Sequence, residues 1–310
     1  MASTVNRKPV ASKPTSKSFL LLLVPFVTLF AVFIVIPIII AIGLSFTNFD
    51  TVQRPAWNDL GNYVYLITQD TEFMKYVLPN SIKFSLIVGP VGYVLQFMLA
   101  WALVQIPKLP RTILALIFYS PSMTGGVVTA VIWRVIFTGD QYGYLNYLLK
   151  AAGIIEQPVQ WLVDPRIIMP VMIIVTLWSS MGIGFLAMLS GALSIDPELY
   201  EAGYIDGLKN RFQEIIYITI PSMKPQMLFG AVMAIVYSFS TGSVGVDLTG
   251  ANPTPGYAGS TMVTHINDFG FQQYEMGYAN AIAVVLLIMI FAMSQLANKL
   301  FSEKNGVGHK

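Results

Sequence analysis

The stretch SFLLLLVPFVTLFAVFIVIPIIIAIGLSFTNF occupies residues 18–49 and contains no charged residue. A helix needs about 20 predominantly apolar residues to cross the hydrocarbon core of a bilayer. This stretch is longer than that. It is also too long for the apolar core of a signal peptide, Pro25 and Pro37 interrupt it, and no small-residue cleavage site follows. It therefore predicts a retained first membrane span. The residues before it, MASTVNRKPVASKPTSK, are rich in Ser, Lys and Pro and have little to bury, which predicts a disordered tail over 1–17.

Five more uncharged, mostly apolar windows follow, at 84–107, 112–133, 167–195, 225–246 and 276–298. The shortest of the six holds 22 residues. Mean hydropathy is +0.64, and only 11% of the residues are charged, against roughly 25% in soluble domains. Core helices of soluble proteins are usually shorter and amphipathic. The windows thus predict an all-α, polytopic membrane protein with six transmembrane helices over 18–298 and a short tail over 299–310. The chain has no cysteine, which excludes disulfides and thiolate metal sites. Its net charge of +2 implies no nucleic-acid partner.

Six spans place both termini on one side, and the excess of Lys and Arg marks the cytoplasmic side. The terminal side collects 12 of the 18 Lys and Arg residues. The opposite loops hold Arg54, Lys75, Lys150 and Arg166. Lys83 and Arg134 fall near the outer ends of the second and third spans, where they can snorkel to the interface. Both termini and the connection at 196–221 are therefore expected in the cytoplasm. The outer segments 50–76 and 138–166 each suit a short amphipathic helix at the interface. The outer segment 247–275 carries GANPTPGYAGS and reads equally well as an irregular cap or a solvated linker.

No Asp or Glu lies inside any of the six windows. Ion-coupled carriers commonly place a carboxylate there to bind the coupling ion, so its absence weighs against that class. The spans do carry hydroxyls, amides and aromatic rings. Taken singly, such residues are usually packing devices between membrane helices. Together, Tyr119, Trp178, Tyr237, Ser240 and Asn280 suggest a polar, uncharged route suited to the hydroxyls and flat apolar faces of a sugar. Pro121, close to Gly125 and Gly126, should break or kink the third span.

The connection ELYEAGYIDGLKNRFQEIIYITIP, ending at Pro221, is different in kind. Asp196 is an N-cap residue, Pro197 suits the first helical position and Glu198 favours the first turn. Gly207 can end that helix in a left-handed conformation. Asn210 is a second cap with Gln213 three residues on. Leu208, Phe212, Ile215 and Ile216 then share one helical face until Pro221 stops the run. The prediction is helix, turn, helix.

This connection resembles the cytoplasmic loop of membrane subunits of binding-protein-dependent ABC importers. The matching residues are Glu201, Ala202, Asp206, Gly207, Ile218 and Pro221. Gly203 stands where the family has a second Ala, Ile220 replaces the usual Leu, and one extra residue separates Gly207 from Pro221. That longer spacing resembles the lactose and oligosaccharide branch. NYVYLITQDTEF and NPTPGYAGSTMVTHINDFGF also resemble maltose- and lactose-type sugar permeases. The likeness runs from about residue 18 onward.

The resemblance implies a type I ABC importer permease fold in a bacterial cytoplasmic membrane. It further implies that the loop couples to a separate ATPase dimer, with a homologous second permease and an extracytoplasmic sugar-binding protein as partners. No G-x-x-x-x-G-K-[ST] occurs, so ATP and its Mg²⁺ belong to the ATPase subunit and this chain needs no cofactor. No nucleophile–base–acid set stands out, which implies no enzyme activity of its own. His265 and His309 should lie on opposite sides of the membrane, so they form no metal pair. The competing reading is a self-sufficient ion- or proton-coupled carrier of a neutral solute.

Overall fold

The computed structural model describes residues 16–301. Nearly all of the tail at 1–17, and residues 302–310 with His309, lie outside the described residues. Among the described residues the chain is helical without strands, and one isolated bridge pairs Thr47 with Trp57.

Among the described residues, three helices are long and apolar enough to cross a membrane: α1 (Leu23–Leu44), α3 (Phe73–Val104) and α14 (Met276–Phe301). Between α1 and α3 lies α2 (Gly61–Thr68). The third apolar window breaks into α4 (Lys108–Met123) and α5 (Gly126–Ile136), bent by 100°. The break falls at extended residues Thr124 and Gly125, just past Pro121. After α6 (Tyr144–Ala151), the fourth window forms α7 (Pro165–Trp178) and α8 (Ile183–Leu193), bent by 44°. Next come α9 (Pro197–Ile205) and α10 (Arg211–Glu214), the latter continuing through a π turn at Ile215–Thr219 to Ser222. The fifth window is shorter in helix than in sequence. α11 (Lys224–Ser240) has 17 residues, about 26 Å at 1.5 Å per residue. It gives way to α12 (Val244–Thr249) and α13 (Met262–Asn267).

Proline explains an irregularity that recurs along the chain. π turns at Ala31–Val35, Phe73–Val77 and Ile215–Thr219 each end two residues before a proline, at Pro37, Pro79 and Pro221. Proline lacks an N–H and crowds the carbonyl four residues back. Widening the preceding turn relieves that clash without ending the helix. α1 thus stays helical through Pro37.

α3 is the axis of the molecule. Phe73 and Val77 pack with Leu66, Met262, Tyr278 and Ile282. Phe84 and Val88 pack with Ala130, Phe137, Ile168 and Leu248. Ala100 and Leu103 pack with Phe185, Met188, Met223 and Met227. α8 and α11 meet at glycines: a Cβ on Gly184 would lie 3.3 Å from Gly230 Cα, the close backbone approach that small residues permit between membrane helices. α1, by contrast, has no buried side chain in the described chain. Its apolar surface is left for lipid or another subunit.

At the Phe73 end of α3, the expected short helices are present as α2 and α6. Asn146, fully buried, donates to the Thr138, Asp140 and Val159 carbonyls and accepts from Trp161 Nε1 at 2.9 Å. Segment 247–275 is a packed cap, not a linker, with Thr254, Ser260, Thr261, Thr264 and His265 buried. Asp70 Oδ2 lies 2.8 Å from His265 Nε2 and accepts from the Tyr278 hydroxyl at 2.6 Å. All three side chains are buried. Arg134 does not snorkel freely: its Nε donates to the Leu248 carbonyl at 3.0 Å.

Candidate functional site

Two features stand out: a cleft beside the broken helices and the helix–turn–helix at 196–222.

The cleft arises because α4–α5 and α7–α8 both break. Pro121, Thr124, Thr129, Thr176, Tyr237 and Asp247 line one lobe. Gln96, Tyr119, Ser122, Ser180, Tyr237 and Ser240 line the other. Tyr237 lines both, and its hydroxyl donates to the Thr176 carbonyl at 3.4 Å. Of the five route residues read from the sequence, Tyr119, Tyr237 and Ser240 come together here. Trp178 stands outside the lining, edge-on to Trp133 at 5.5 Å. Asn280 also stands outside it, donating to the Met276 carbonyl one turn back at 2.8 Å.

Sequence reasoning missed Gln96. Its Nε2 donates to the Ser180 carbonyl at 2.7 Å, holding the break in the fourth window, while the buried Oε1 makes no hydrogen bond within the chain. Thr176 Oγ1 and Ser179 Oγ are likewise buried and unpartnered beside the first lobe. An unpaired buried polar atom is costly. Asp247 was missed because the fifth window stops one residue short of it. Its carboxylate lines the cleft, accepting from Ser243 Oγ at 3.1 Å, so the lining is not wholly uncharged.

The helix–turn–helix lies at the Val104 end of α3, where Met223 and Met227 join the Leu103 cluster. Asp196 caps α9, accepting from the Glu198 N–H at 3.0 Å, with Pro197 at the first helical position. α9 ends at Ile205, and Gly207 takes φ +98° while Leu208 N–H donates to the Gly203 carbonyl. Asn210 caps α10, accepting from the Gln213 N–H at 2.9 Å. Gln213 Oε1 accepts from the Lys209 N–H rather than from the cap residue itself.

Burial differs from the expected apolar face. Phe212 and Ile216 are exposed and Leu208 and Ile215 half-buried; Glu214, Ile218 and Thr219 are buried instead. Glu214, ahead of the π turn at Ile215–Thr219, meets Tyr204 of α9, and Ile218 and Thr219 within that turn meet Gly203 and Tyr200. Glu201, Ala202, Asp206 and Pro221 are exposed, Ile218 is buried, and Gly203 is half-buried. The Glu214 carboxylate holds the pKa of Arg211 above its ordinary value, and by accepting the Tyr204 hydroxyl it raises that phenol too.

An all-helical bundle with broken apolar helices, a polar cleft and a presented surface helix defines a membrane translocation subunit. The chain belongs to the family described as binding-protein-dependent transport system inner membrane component, which matches residues 10–300. It is thus the inner-membrane component of such a system, not a self-sufficient carrier. It is 31% identical to a probable ABC transporter permease protein, YesP, of Bacillus subtilis (strain 168), covering 86% of this chain and 84% of that one. It is 30% identical to the arabinooligosaccharides transport system permease protein AraP of the same organism, covering 92% and 88%. A bacterial ABC transporter involved in importing the acidic polysaccharide alginate has a chain of the same fold. The TM-score is 0.75 at 24% identity, over 93% of this chain and 97% of that one.

Proposed function

We propose that this chain is one membrane subunit of an ATP-driven importer that moves a sugar or oligosaccharide across a bacterial cytoplasmic membrane. An extracytoplasmic binding protein delivers the sugar. In this reading α1, α3, α4–α5, α7–α8, α11 and α14 make six spans, and both termini are cytoplasmic. The exposed face of α9 docks on a separate ATPase dimer, which binds ATP and Mg²⁺. A homologous second permease completes the cleft, and this chain contributes no catalytic group.

The observation that carries the reading is the capped helix–turn–helix, presented to solvent at the end of α3 opposite the buried Asp70 cluster. A surface that must engage a partner stays open, whereas a purely structural connection buries its apolar residues. Movement of α9 biases two arrangements of the broken helices, and substrate crosses by alternating access. The sugar assignment rests on the hydroxyl-bearing lining of the cleft, with Ser122, Thr124, Thr129 and Ser240, and on the arabino-oligosaccharides named for AraP. Asp247, with no Lys or Arg in the lining, favours an uncharged sugar over an acidic one.

Uptake into vesicles carrying the complete transporter tests this, with arabino-oligosaccharides and lactose as probes. Uptake should require ATP and the binding protein and survive collapse of ion gradients. Uptake that persists without ATP and stops with the gradient would refute it.

A further inference from the structure

Three rungs join the two helices of the connection. The Tyr200 hydroxyl lies 3.1 Å from Thr219 Oγ1. Gly203 meets Leu208 and Ile218 so closely that a Cβ there would sit 2.8 Å from Ile218 Cδ1. The Tyr204 hydroxyl donates to Glu214 Oε1, whose partner oxygen accepts from Arg211 Nη1 at 2.9 Å. Tyr200, Gly203 and Tyr204 share one face of α9 at i, i+3, i+4 spacing.

Glu214 is the anomaly in this set. Its side chain is 2% exposed, in a segment that is otherwise largely solvated. Burying a carboxylate is costly unless it is paired and hydrogen-bonded. It faces inward, away from the exposed Leu199, Ala202 and Ile205, so docking does not use it directly. The turn between the helices has room to hinge: Gly207 has φ +98°, and beyond its chain neighbours no atom lies within 4 Å of where its Cβ would be. Without the rungs, a push on α9 would be absorbed by hinging at Gly207.

We propose that Glu214, through Tyr204 and Arg211, is the positioning residue that makes α9 and α10 move as one body and passes the displacement of α9 to α11. This rests on the reading of α9 as the ATPase-docking element. The complete transporter, reconstituted in vesicles, is assayed for ATP hydrolysis and uptake side by side with the same two probes.

Glu214→Ala should keep the ATPase pair bound and hydrolysing while uptake per ATP falls roughly fivefold, within the range that residues of a coupling element command. Tyr204→Phe should fall less, and the double variant should fall no further than Glu214→Ala, because the two act through one contact. Glu214→Gln, which keeps an acceptor for Tyr204, should recover part of the loss. A nitroxide on Lys209→Cys, unique in a chain without cysteine, should move more freely in Glu214→Ala.

Wild-type uptake per ATP or unchanged label motion in Glu214→Ala overturns the proposal. If that variant does not assemble, normal coupling in Tyr204→Phe overturns it. The docking reading is tested separately by Ala202→Arg on the exposed face, which should release the ATPase pair. Retention with normal uptake would sink that reading whatever Glu214 shows.

Discussion

At the Phe73 end of α3, Asp70, His265 and Tyr278 are buried against one another. At the Val104 end the connection leaves most of its charges and several large apolar side chains in solvent. Asp70, His265 and Tyr278 close on one another and tie segment 69–73, α13 and the start of α14 into one cap. Ile205, 87% exposed, and Phe212, 68% exposed, are left without cover at the other end. Both regions are polar interruptions between apolar helices. The difference is that one holds a buried polar cluster joining three segments far apart in the chain, whereas the other is held by contacts among near neighbours in sequence.

The largest expected effect comes from breaking the closed end. Asp70→Ala leaves His265, Tyr278 and the Phe73 N–H without their buried partner. Loss of about 3 kcal/mol of stability should follow, read as a shift in the denaturation midpoint of the solubilised protein. A shift no larger than that of a surface substitution would show that the cap does not depend on this cluster.

The charge of Asp70 is separable by pH. Burial pushes its carboxyl up, but hydrogen bonds from His265, Tyr278 and the Phe73 N–H outweigh that and hold it below the ordinary value of 3.8. A group with a lowered folded pKa contributes stability that is present above its unfolded value and lost as pH falls through the folded one. The stability gap between the wild type and Asp70→Asn should therefore hold above pH 3.8 and close below it. A gap that grows on acidification would contradict the assignment.

The open end should respond differently, in coupling more than in stability. Gly207→Val places a β-branched residue at φ +98°, at a cost of about 1–2 kcal/mol confined to the turn. Co-purification of the ATPase pair and uptake should both fall while the denaturation midpoint of the bundle barely moves. Normal assembly and transport would remove the turn from the coupling element.

The two ends also differ in how far they could be read from sequence. Asp196, Pro197, Gly207 and Asn210 act on backbone groups within four residues, so their caps and turn are visible in a linear string. Asp70 finds His265 across 195 positions and Tyr278 across 208, and no periodicity reports such a pairing. The helical class was legible because runs of 22 or more uncharged residues admit little else. The 100° break past Pro121 was legible only as a kink, since its size depends on what packs around it. Glu214 was hidden for a third reason. A face chosen by apolarity selects Phe212 and Ile216 and passes over a carboxylate whose burial depends on its contacts with Tyr204 and Arg211.

The smallest effect concerns the departure from the family pattern at Gly203. A Cβ there would meet Leu208 Cδ1 at 2.7 Å and Ile218 Cδ1 at 2.8 Å, both of them ends of flexible side chains. Overpacking costs about 1 kcal/mol at its mild end, while replacing Gly by Ala inside a helix returns roughly 0.5–1 kcal/mol. Gly203→Ala should therefore leave stability, ATPase binding and uptake within error of the wild type. Gly203→Val adds methyl groups that the Leu208 and Ile218 tips cannot both clear, and it should push α9 off α10 and lower uptake per ATP. If Gly203→Ala alone uncoupled hydrolysis from transport, the packing of α9 on α10 would be far tighter than those two movable methyl groups imply.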